Sequence, residues 1–335
     1  MAVAPNDPNT PHPPAPHPPA PHPPAPHPPA PHPPAPHPPG PHPPAPHPPA
    51  PHPPGPHPRA TSVAAVDVSA DPAAWLPAAC EALAADGAVL LTGTGLAEPA
   101  RDVGARMLAE VPLLMEHHDA LMAYDDGHMR HRPPGGLDGH VTSFLGHPAV
   151  LALCGASLQA PRVISYHGHT VLPGSSPQPV HADWEPLWPH PGLTHPPFML
   201  AVNIALVDTG DDNGSIEVWP GTHVLASPEV YRHGSLCVRE ELLAGRRAVR
   251  PPERVAMRPG DVLVRDVRLW HRGTRNTSGT ARPMLWLLLA APWLRAEPSV
   301  LLEAGVRGEV EALPVEVAAE YARHPVGALS GGDAE

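Results

Sequence analysis

The sequence predicts a mainly β protein with flanking helices. After residue 161, short apolar stretches are separated by Pro-Gly, Asp-Asn-Gly and Pro-Gly-Asp turns, which is typical of antiparallel strands. Helical patterns fall almost entirely before residue 161. Helices followed by many short strands favour an antiparallel barrel or sandwich that is supported by N-terminal helices.

The chain divides into two unlike parts. Residues 11–58 repeat Pro-His-Pro-Pro-Ala, with Gly40 and Gly55 in place of alanine. This repeat cannot build a core, because it has no aliphatic residue larger than alanine and its prolines lack backbone donors. We therefore predict a disordered tail over residues 1–60 and one large domain over residues 61–335. Loose metal binding by the tail histidines is the functional alternative to an inert tail.

The charge of the chain excludes several classes of function. A formal net charge of -12 argues against nucleic acid as a partner, because phosphate contacts need clustered basic residues. The chain contains no lysine, so neither a Schiff-base lysine nor a P-loop lysine is available. The sequence therefore predicts no nucleic-acid partner and no lysine-based catalysis.

The cysteines and the hydropathy of the chain favour the cytoplasm. Cys80, Cys154 and Cys237 are widely separated and odd in number, and no Cys-x-x-Cys motif is present, so we expect reduced thiols. The first residues lack the apolar segment of a signal peptide. The most apolar run, residues 284–294, is too short to span a bilayer. We therefore expect a cytoplasmic protein that does not associate with membranes.

The N-terminal half of the domain carries clear helix signals. Asp71 and Pro72 have the character of an N-cap and a first-turn proline, and Gly87 marks the end of the helix that they begin. Residues 88–92 then form a short buried strand. Further helices are predicted over residues 99–114 and 148–158, with a mobile loop over residues 116–139 between them.

The second half of the domain is predicted to consist of strands. Their residue types are apolar and β-branched, and turn signals separate them. A helical pattern returns only near the end, over residues 315–322. The predicted strands cover residues 163–166, 200–207, 215–219, 255–257, 261–265 and 284–290.

Residues 179–184, Pro-Val-His-Ala-Asp-Trp, are the first candidate for chemistry. In an extended segment, residues i and i+2 face the same side, so His181 and Asp183 can direct an imidazole and a carboxylate at one point. They are two of the three ligands of a 2-His-1-carboxylate triad, which binds Fe(II) and leaves open positions. His271 is the candidate for the third ligand. For His-x-Asp alone, a chance pair on a strand or loop is the alternative.

Three further segments accompany this pair. Residues 212–223 contain Asp-Asn-Gly and Pro-Gly-Thr-His, residues 258–261 are Arg-Pro-Gly-Asp, and residues 268–271 are Arg-Leu-Trp-His, followed by Asn276, Ser278 and Arg282. Over about residues 166–290, this set resembles the phytanoyl-CoA dioxygenase family of Fe(II)/2-oxoglutarate-dependent oxygenases. The Asp-Gly-Ala-Val segment at residues 86–89 also fits the usual opening of that family. The repeat tail has no counterpart in it.

The resemblance implies a double-stranded β-helix (jelly-roll, cupin-like) core and a specific set of site residues. Iron would be held by His181, Asp183 and His271, and residues 61–335 would be the dioxygenase domain. Arg282 would pair with the distal carboxylate of 2-oxoglutarate, for which a planar guanidinium offers two charge-assisted hydrogen bonds. Gln178 is a second candidate contact for this cosubstrate.

The resemblance also implies the reaction. A dioxygenase of this family consumes O2 and 2-oxoglutarate, releases succinate and CO2, and oxidises an unactivated C–H bond of a small-molecule substrate. Relatives that halogenate lack the carboxylate ligand, so Asp183 favours hydroxylation or a related oxidation. A natural product or an acyl compound is expected as the substrate, by analogy alone. The oligomeric state is left open.

Several alternatives stay open at this point. A cupin-like Zn or Mn enzyme could use His167 and His169, although no glutamate follows them at a suitable spacing. A non-catalytic binding protein on the same scaffold is the other. Asn203 is a weaker candidate for a cosubstrate contact. Surface or substrate-contact roles are expected for His117, His118, His128 and His131, structural or loop roles for His190, His195 and His223, and core packing or substrate stacking for Trp184, Trp188 and Trp270.

Overall fold

The computed structural model describes residues 63–116, 127–188, 195–225, 227–295, 297 and 299–327. The predicted tail, together with His117, His118 and His190, lies outside the described residues. The helices of the described part are α1 (Pro72–Asp86), α2 (Ala97–Glu116), α3 (Val141–Leu145), α4 (Pro148–Leu158), α5 (Glu240–Val249) and α6 (Arg307–Glu311).

Two sheets face each other across the centre of the domain. The strands of the described part are β1 (Ala65–Asp67), β2 (Ala88–Thr92), β3 (His128–Arg130), β4 (Arg162–Val171), β5 (Met199–Ala205), β6 (Ile216–Val218), β7 (Glu253–Val255), β8 (Val262–Asp266), β9 (His271–Gly273), β10 (Arg282–Ala290), β11 (Val300–Glu303), β12 (Glu316–Val317) and β13 (Ala319–Ala322). The main sheet has the strand order β1-β2-β8-β5-β10-β4-β12, with β3 paired to β4, and the small sheet has the order β7-β6-β9. A third sheet pairs β11 with β13.

The main sheet is buried on both faces, and alternation along its strands assigns each residue to one of them. In β8, Val262 and Val264 belong to the core cluster that also contains residues of α1, α2 and α4. Leu263, between them, belongs to a second cluster with Ile216 and Val218 of the small sheet. The helices therefore cover one face of the main sheet and the small sheet covers the other. This arrangement confirms the predicted mainly β fold with flanking helices.

Local signals set the boundaries of α1 as predicted. The Asp71 side chain accepts a hydrogen bond from the Ala73 backbone N–H at 2.8 Å, which satisfies one of the free donors at the helix N-terminus. At the other end, Gly87 adopts φ 76°, and its N–H donates to the Leu83 carbonyl. This left-handed residue turns the chain directly into β2, whose observed bounds are those predicted.

The prediction of a helix over residues 315–322 is wrong, because this segment forms β12 and β13. The alanine and glutamate content indicated a helix, but the apolar residues alternate with period two. Val315, Val317, Ala319 and Tyr321 all pack against the main core, which is what a strand with one buried face requires.

The other differences between the predicted and the observed elements concern short helices and strands. The predicted loop over residues 116–139 contains β3, which is held by pairing to β4 and not by its own propensity. The helices α3, α5 and α6 were not predicted. Strand β7 lies at residues 253–255, two residues before its predicted position. By length and hydropathy alone, the stretch Val141–Leu158 of the described chain could cross a membrane. It comprises α3 and α4, and 50% of it is buried inside the fold. This stretch is therefore weak evidence for a membrane span.

Candidate metal centre

The backbone places His181 directly opposite His271. The two residues form an isolated antiparallel bridge, in which each backbone N–H donates to the carbonyl of the other at 2.9 Å. Their imidazole rings lie on the same side, with centroids 4.4 Å apart. In the structure, β8 ends at Asp266 and His271 opens β9 in the small sheet, after a turn.

Asp183 joins the two histidines from the same segment as His181. Its backbone N–H donates to the Val267 carbonyl at 2.9 Å, which fixes the segment beside the turn that leads to His271. Asp183 Oδ1 lies 3.3 Å from His271 Nε2. One potential ligand atom from each of the three residues lies within 4.8 Å of the others, and no other such group occurs among the described residues. The three side chains line a cavity of about 250 Å³.

The hydrogen bonds of both histidines leave Nε2 available to a metal. His181 Nδ1 donates to the Pro179 carbonyl at 2.8 Å, and His271 Nδ1 donates to the Leu269 carbonyl at 2.9 Å. Since a neutral imidazole protonated at Nδ1 has its lone pair on Nε2, the acceptors select the tautomer that a metal ligand needs. Burial lowers the pKa of His181 to about 4, so this imidazole is neutral near pH 7.

The carboxylate of Asp183 is ionised for a different reason. Burial by itself would raise the pKa of this carboxyl group. The Arg265 guanidinium, 2.6 Å from Asp183 Oδ2, and the neighbouring His271 outweigh that effect and hold the pKa well below its usual value. The donor set is two imidazole nitrogens and one carboxylate, which suits a divalent first-row metal such as iron.

Arg282 lies in the wall of the same cavity, at the start of β10. Its side chain is 3% exposed, its Nη2 donates to the Gly214 carbonyl, and its Nε has no hydrogen-bond partner. No carboxylate of the described residues lies within 4.0 Å of this guanidinium, since none of the ion pairs found there includes it. Burial lowers the pKa of Arg282 to about 10, so it remains charged near pH 7. A buried cation of this kind needs an anion from outside the described part of the chain.

Gln178 also lines the cavity, and its amide is oriented by the small sheet. Gln178 Oε1 accepts a hydrogen bond from the Gly273 backbone N–H at 2.9 Å. A Cβ atom at Gly273 would lie 3.0 Å from Gln178 Oε1 and 2.6 Å from His128 Cε1, so glycine permits this close approach. The remaining hydrogen-bonding capacity of Gln178 is its two amide N–H donors, which is the capacity that a carboxylate requires.

Sequence reasoning missed Arg265, the residue that pairs with Asp183. It follows Val264 on β8 and therefore shares the cavity face with Leu263, a position where an apolar residue was expected. An arginine at an inward position of a central strand was the available signal, since buried charges are rare unless they are paired. Asn203, a weak candidate for a cosubstrate contact, instead accepts a hydrogen bond from Arg265 Nε at 3.1 Å.

The other cavity residues form an aromatic and imidazole wall. His169 and Trp286 meet edge to face, with ring centroids 5.7 Å apart, and His167 stacks on the same indole at 6.2 Å. Burial lowers the pKa of His169 to about 3 and that of His167 to about 4. His167 Nε2 lies 3.1 Å from Ser299 Oγ. Neither histidine joins a metal-ligand group among the described residues.

The remaining histidines and tryptophans divide between core and rim. His131, expected at the surface or against substrate, is buried between Glu110 and Thr170. Trp270 packs in the core and Trp184 lies at the cavity, while Trp188 is exposed. Of these three tryptophans, Trp184, which follows the proposed carboxylate ligand, is the one that lines the cavity.

Two kinds of comparison place this geometry among known proteins. The family model described as Phytanoyl-CoA dioxygenase (PhyH) matches residues 71–284. The solved structure of EctD from S. alaskensis with bound Fe is 20% identical, with a TM-score of 0.50 over 72% of this chain and 86% of that chain. The epimerase SnoN in complex with Fe3+, alpha ketoglutarate and nogalamycin RO is 20% identical, with a TM-score of 0.50 over 68% of this chain and 94% of that chain. This likeness shows the fold and confirms the predicted double-stranded β-helix core.

Proposed function

This chain belongs to the phytanoyl-CoA dioxygenase family and is a 2-oxoglutarate-dependent dioxygenase, and we propose that His181, Asp183 and His271 hold its iron. Three protein ligands leave half of an octahedral coordination sphere for cosubstrate and O2. When bound, iron supplies the oxidative chemistry that no side chain of the protein can perform. Support for this assignment comes from the two oriented imidazoles, the ionised carboxylate and their common cavity.

The observation that carries the proposal is the buried charge of Arg282. A guanidinium without a carboxylate partner in the described part of the chain is costly unless a ligand neutralises it. The distal carboxylate of 2-oxoglutarate meets that need in the same cavity that contains the three metal-binding side chains. Gln178, with its carbonyl oxygen already bonded to Gly273, donates to the same cosubstrate through its amide.

The reaction we propose is hydroxylation of an unactivated C–H bond in a small molecule, with release of succinate and CO2. Asp183 supports hydroxylation, because it occupies the position that a halide would need. Trp184, Trp286 and Leu288 supply apolar lining that favours a hydrocarbon portion of the substrate, such as that of a natural product or an acyl compound. This lining also keeps bulk water away from the reacting bond.

The first experiment is an anaerobic titration of Fe(II)-loaded protein with 2-oxoglutarate, followed by the visible metal-to-ligand charge-transfer band. Wild type should develop the band and His181→Ala should not. Arg282→Met should need roughly 100-fold more 2-oxoglutarate, as expected from losing charge-assisted hydrogen bonds of about 3 kcal/mol in total. Gln178→Ala should show a smaller shift in the same direction.

Arg272→Met is the matched control for this titration. Arg272 directly follows His271 on β9, but it pairs with Glu217 and does not line the cavity. Its variant should titrate like wild type. A folded, iron-loaded wild type that shows no band would contradict the proposal and favour a cupin-like Zn or Mn enzyme or a binding protein.

A further inference from the structure

A second buried arginine contacts the proposed metal ligands. Arg265 is 3% exposed, and its Nη1 lies 2.6 Å from Asp183 Oδ2. The same Nη1 lies 3.5 Å from His271 Nδ1. Its charge compensates that of Asp183, although a positive charge beside a metal site also disfavours the metal. The oxygen of Asp183 that it contacts indicates a further role.

The main sheet holds Arg265 rigidly. Strand β8 lies between β2 and β5, and Ala201 of β5 pairs with Arg265 in the register. Arg265 Nε donates to Asn203 Oδ1 at 3.1 Å, and Asn203 is itself buried on β5. Asp183 belongs instead to the segment that bridges to the small sheet. The ion pair therefore connects the carboxylate ligand to a fixed point on the opposite sheet.

The geometry assigns different partners to the two oxygens of Asp183. Oδ2 faces Arg265 at 2.6 Å, whereas Oδ1 faces His271 Nε2 at 3.3 Å. A metal held by the two Nε2 atoms would therefore meet Oδ1. A carboxylate that is free to rotate can bind a metal through one oxygen or through both, and the second mode consumes an additional coordination position.

We propose that Arg265 is a positioning residue that restricts Asp183 to one metal-bound oxygen, Oδ1. The ion pair between Arg265 Nη1 and Oδ2, at 2.6 Å, opposes the rotation that two-oxygen binding requires. A coordination position that cosubstrate or O2 needs thereby stays open. This inference rests on the proposed metal site, and Asn203 takes part in it by orienting the guanidinium.

The test uses Co(II) as a spectroscopic substitute for iron, in wild type, Arg265→Met and Arg265→Lys under anaerobic conditions. Affinity for Co(II), the intensity of its d–d absorption and affinity for 2-oxoglutarate are measured. Arg265→Met should bind Co(II) at least as tightly as wild type, because a nearby positive charge is removed. It should show an altered d–d spectrum and bind 2-oxoglutarate roughly tenfold more weakly, since one position is closed. Arg265→Lys, which keeps the charge, should lie closer to wild type.

Arg268→Met is the matched control. Arg268 lies three residues after Arg265 and is also buried. It pairs with Asp266 at 2.6 Å and contacts none of the proposed ligands. Its loss should lower stability without changing the Co(II) spectrum. Should Arg265→Met fail to fold, Asn203→Ala loosens the same guanidinium and should shift the spectrum and the 2-oxoglutarate affinity in the same directions.

The outcomes separate this inference from the proposed function. If Arg265→Met and Asn203→Ala keep the wild-type spectrum and 2-oxoglutarate affinity, Arg265 does not position Asp183 and the inference is overturned. Weaker binding of both Co(II) and 2-oxoglutarate would also overturn it, since that pattern indicates general damage to the site. If wild type and His181→Ala bind Co(II) alike, the proposed metal site itself is wrong.

Discussion

The two histidines and the aspartate of the proposed iron site come from segments that are joined by one pair of backbone hydrogen bonds. Because His181 and His271 exchange both of their backbone bonds, their side chains must project to the same side. Asp183 reaches the same point two residues later. At the scale of single residues, ligand geometry is therefore a consequence of backbone pairing, and side-chain hydrogen bonds then select the imidazole tautomers.

Two half-buried histidines beside Trp286, of which His169 lines the cavity, lead to a prediction about pH. The pKa of His167 is lowered to about 4 and that of His169 to about 3, from 6.5, chiefly by burial. Below pH 6.5 the unfolded chain therefore binds protons that the folded protein does not. Stability should be fully present above pH 6.5 and should decrease as the pH falls toward 4. Thermal unfolding of metal-free protein between about pH 7.5 and 4.5 measures this decrease.

A double variant, His167→Gln with His169→Gln, isolates the contribution of these two groups. Its melting temperature should decrease less steeply with falling pH than that of wild type. His324→Gln, which changes an exposed histidine, is the control and should follow wild type. Equal slopes for the double variant and wild type would show that these two imidazoles do not set the acid sensitivity.

At the scale of elements, the turns before the strands determine how the strands that carry cavity residues pack against the helices. The Pro-Gly-Asp turn before β8 depends on Gly260, which has φ +87°. Asp261 Oδ2 closes this turn by accepting a hydrogen bond from the Arg258 N–H at 2.8 Å. A Cβ atom at Gly260 would lie 2.6 Å from the backbone nitrogen of Ala97, at the start of α2. The turn therefore sets the packing between α2 and the strand that carries Arg265.

We expect Gly260→Ala to destabilise the protein by about 2–4 kcal/mol. The substitution combines backbone strain at positive φ with overpacking against a helix terminus. Gly245→Ala is the control: Gly245 lies inside α5 with nothing within 4 Å of its added Cβ, so alanine should stabilise by about 0.5–1 kcal/mol. The midpoint of urea unfolding measures both. A neutral Gly260→Ala would mean that the turn and α2 can move apart without cost.

At the scale of the whole molecule, the cavity lies where the two sheets face each other, and the helices cover the outer face of the main sheet. The described fold begins with Val63, which is buried in the cluster between the sheets, and with β1, which pairs parallel to β2. The described contacts of the domain thus start immediately after the predicted tail. That boundary can be tested by truncation.

Deletion of residues 1–60 should leave the melting temperature within about 2 °C of wild type, since a change of 0.5 kcal/mol or less is expected away from the core. Cosubstrate binding should also be unchanged. Deletion of residues 1–67 is the control: it removes buried Val63 and all of β1, and should lower the melting temperature clearly. A large loss of stability on the shorter deletion would place part of the repeat inside the folded domain.

The amino-acid sequence by itself determined the local features of this protein. The N-cap and glycine end of α1, the position of β2, the turn residues and the types of the proposed ligands were all predictable, because each depends on neighbours within a few residues. Where local composition and periodicity disagreed, over residues 315–322, the alternation of buried side chains prevailed over helix propensity.

Only the tertiary structure decided which side chains meet. The bridge between His181 and His271, the pairing of Asp183 with Arg265, and the burial of Arg282 without a counter-ion in the described chain each depend on contacts between residues far apart in sequence. Strand register sets those contacts, and register is fixed by long-range pairing that no short segment encodes. The sequence therefore identified the proposed ligands, and the packing of two sheets determined their geometry and electrostatics.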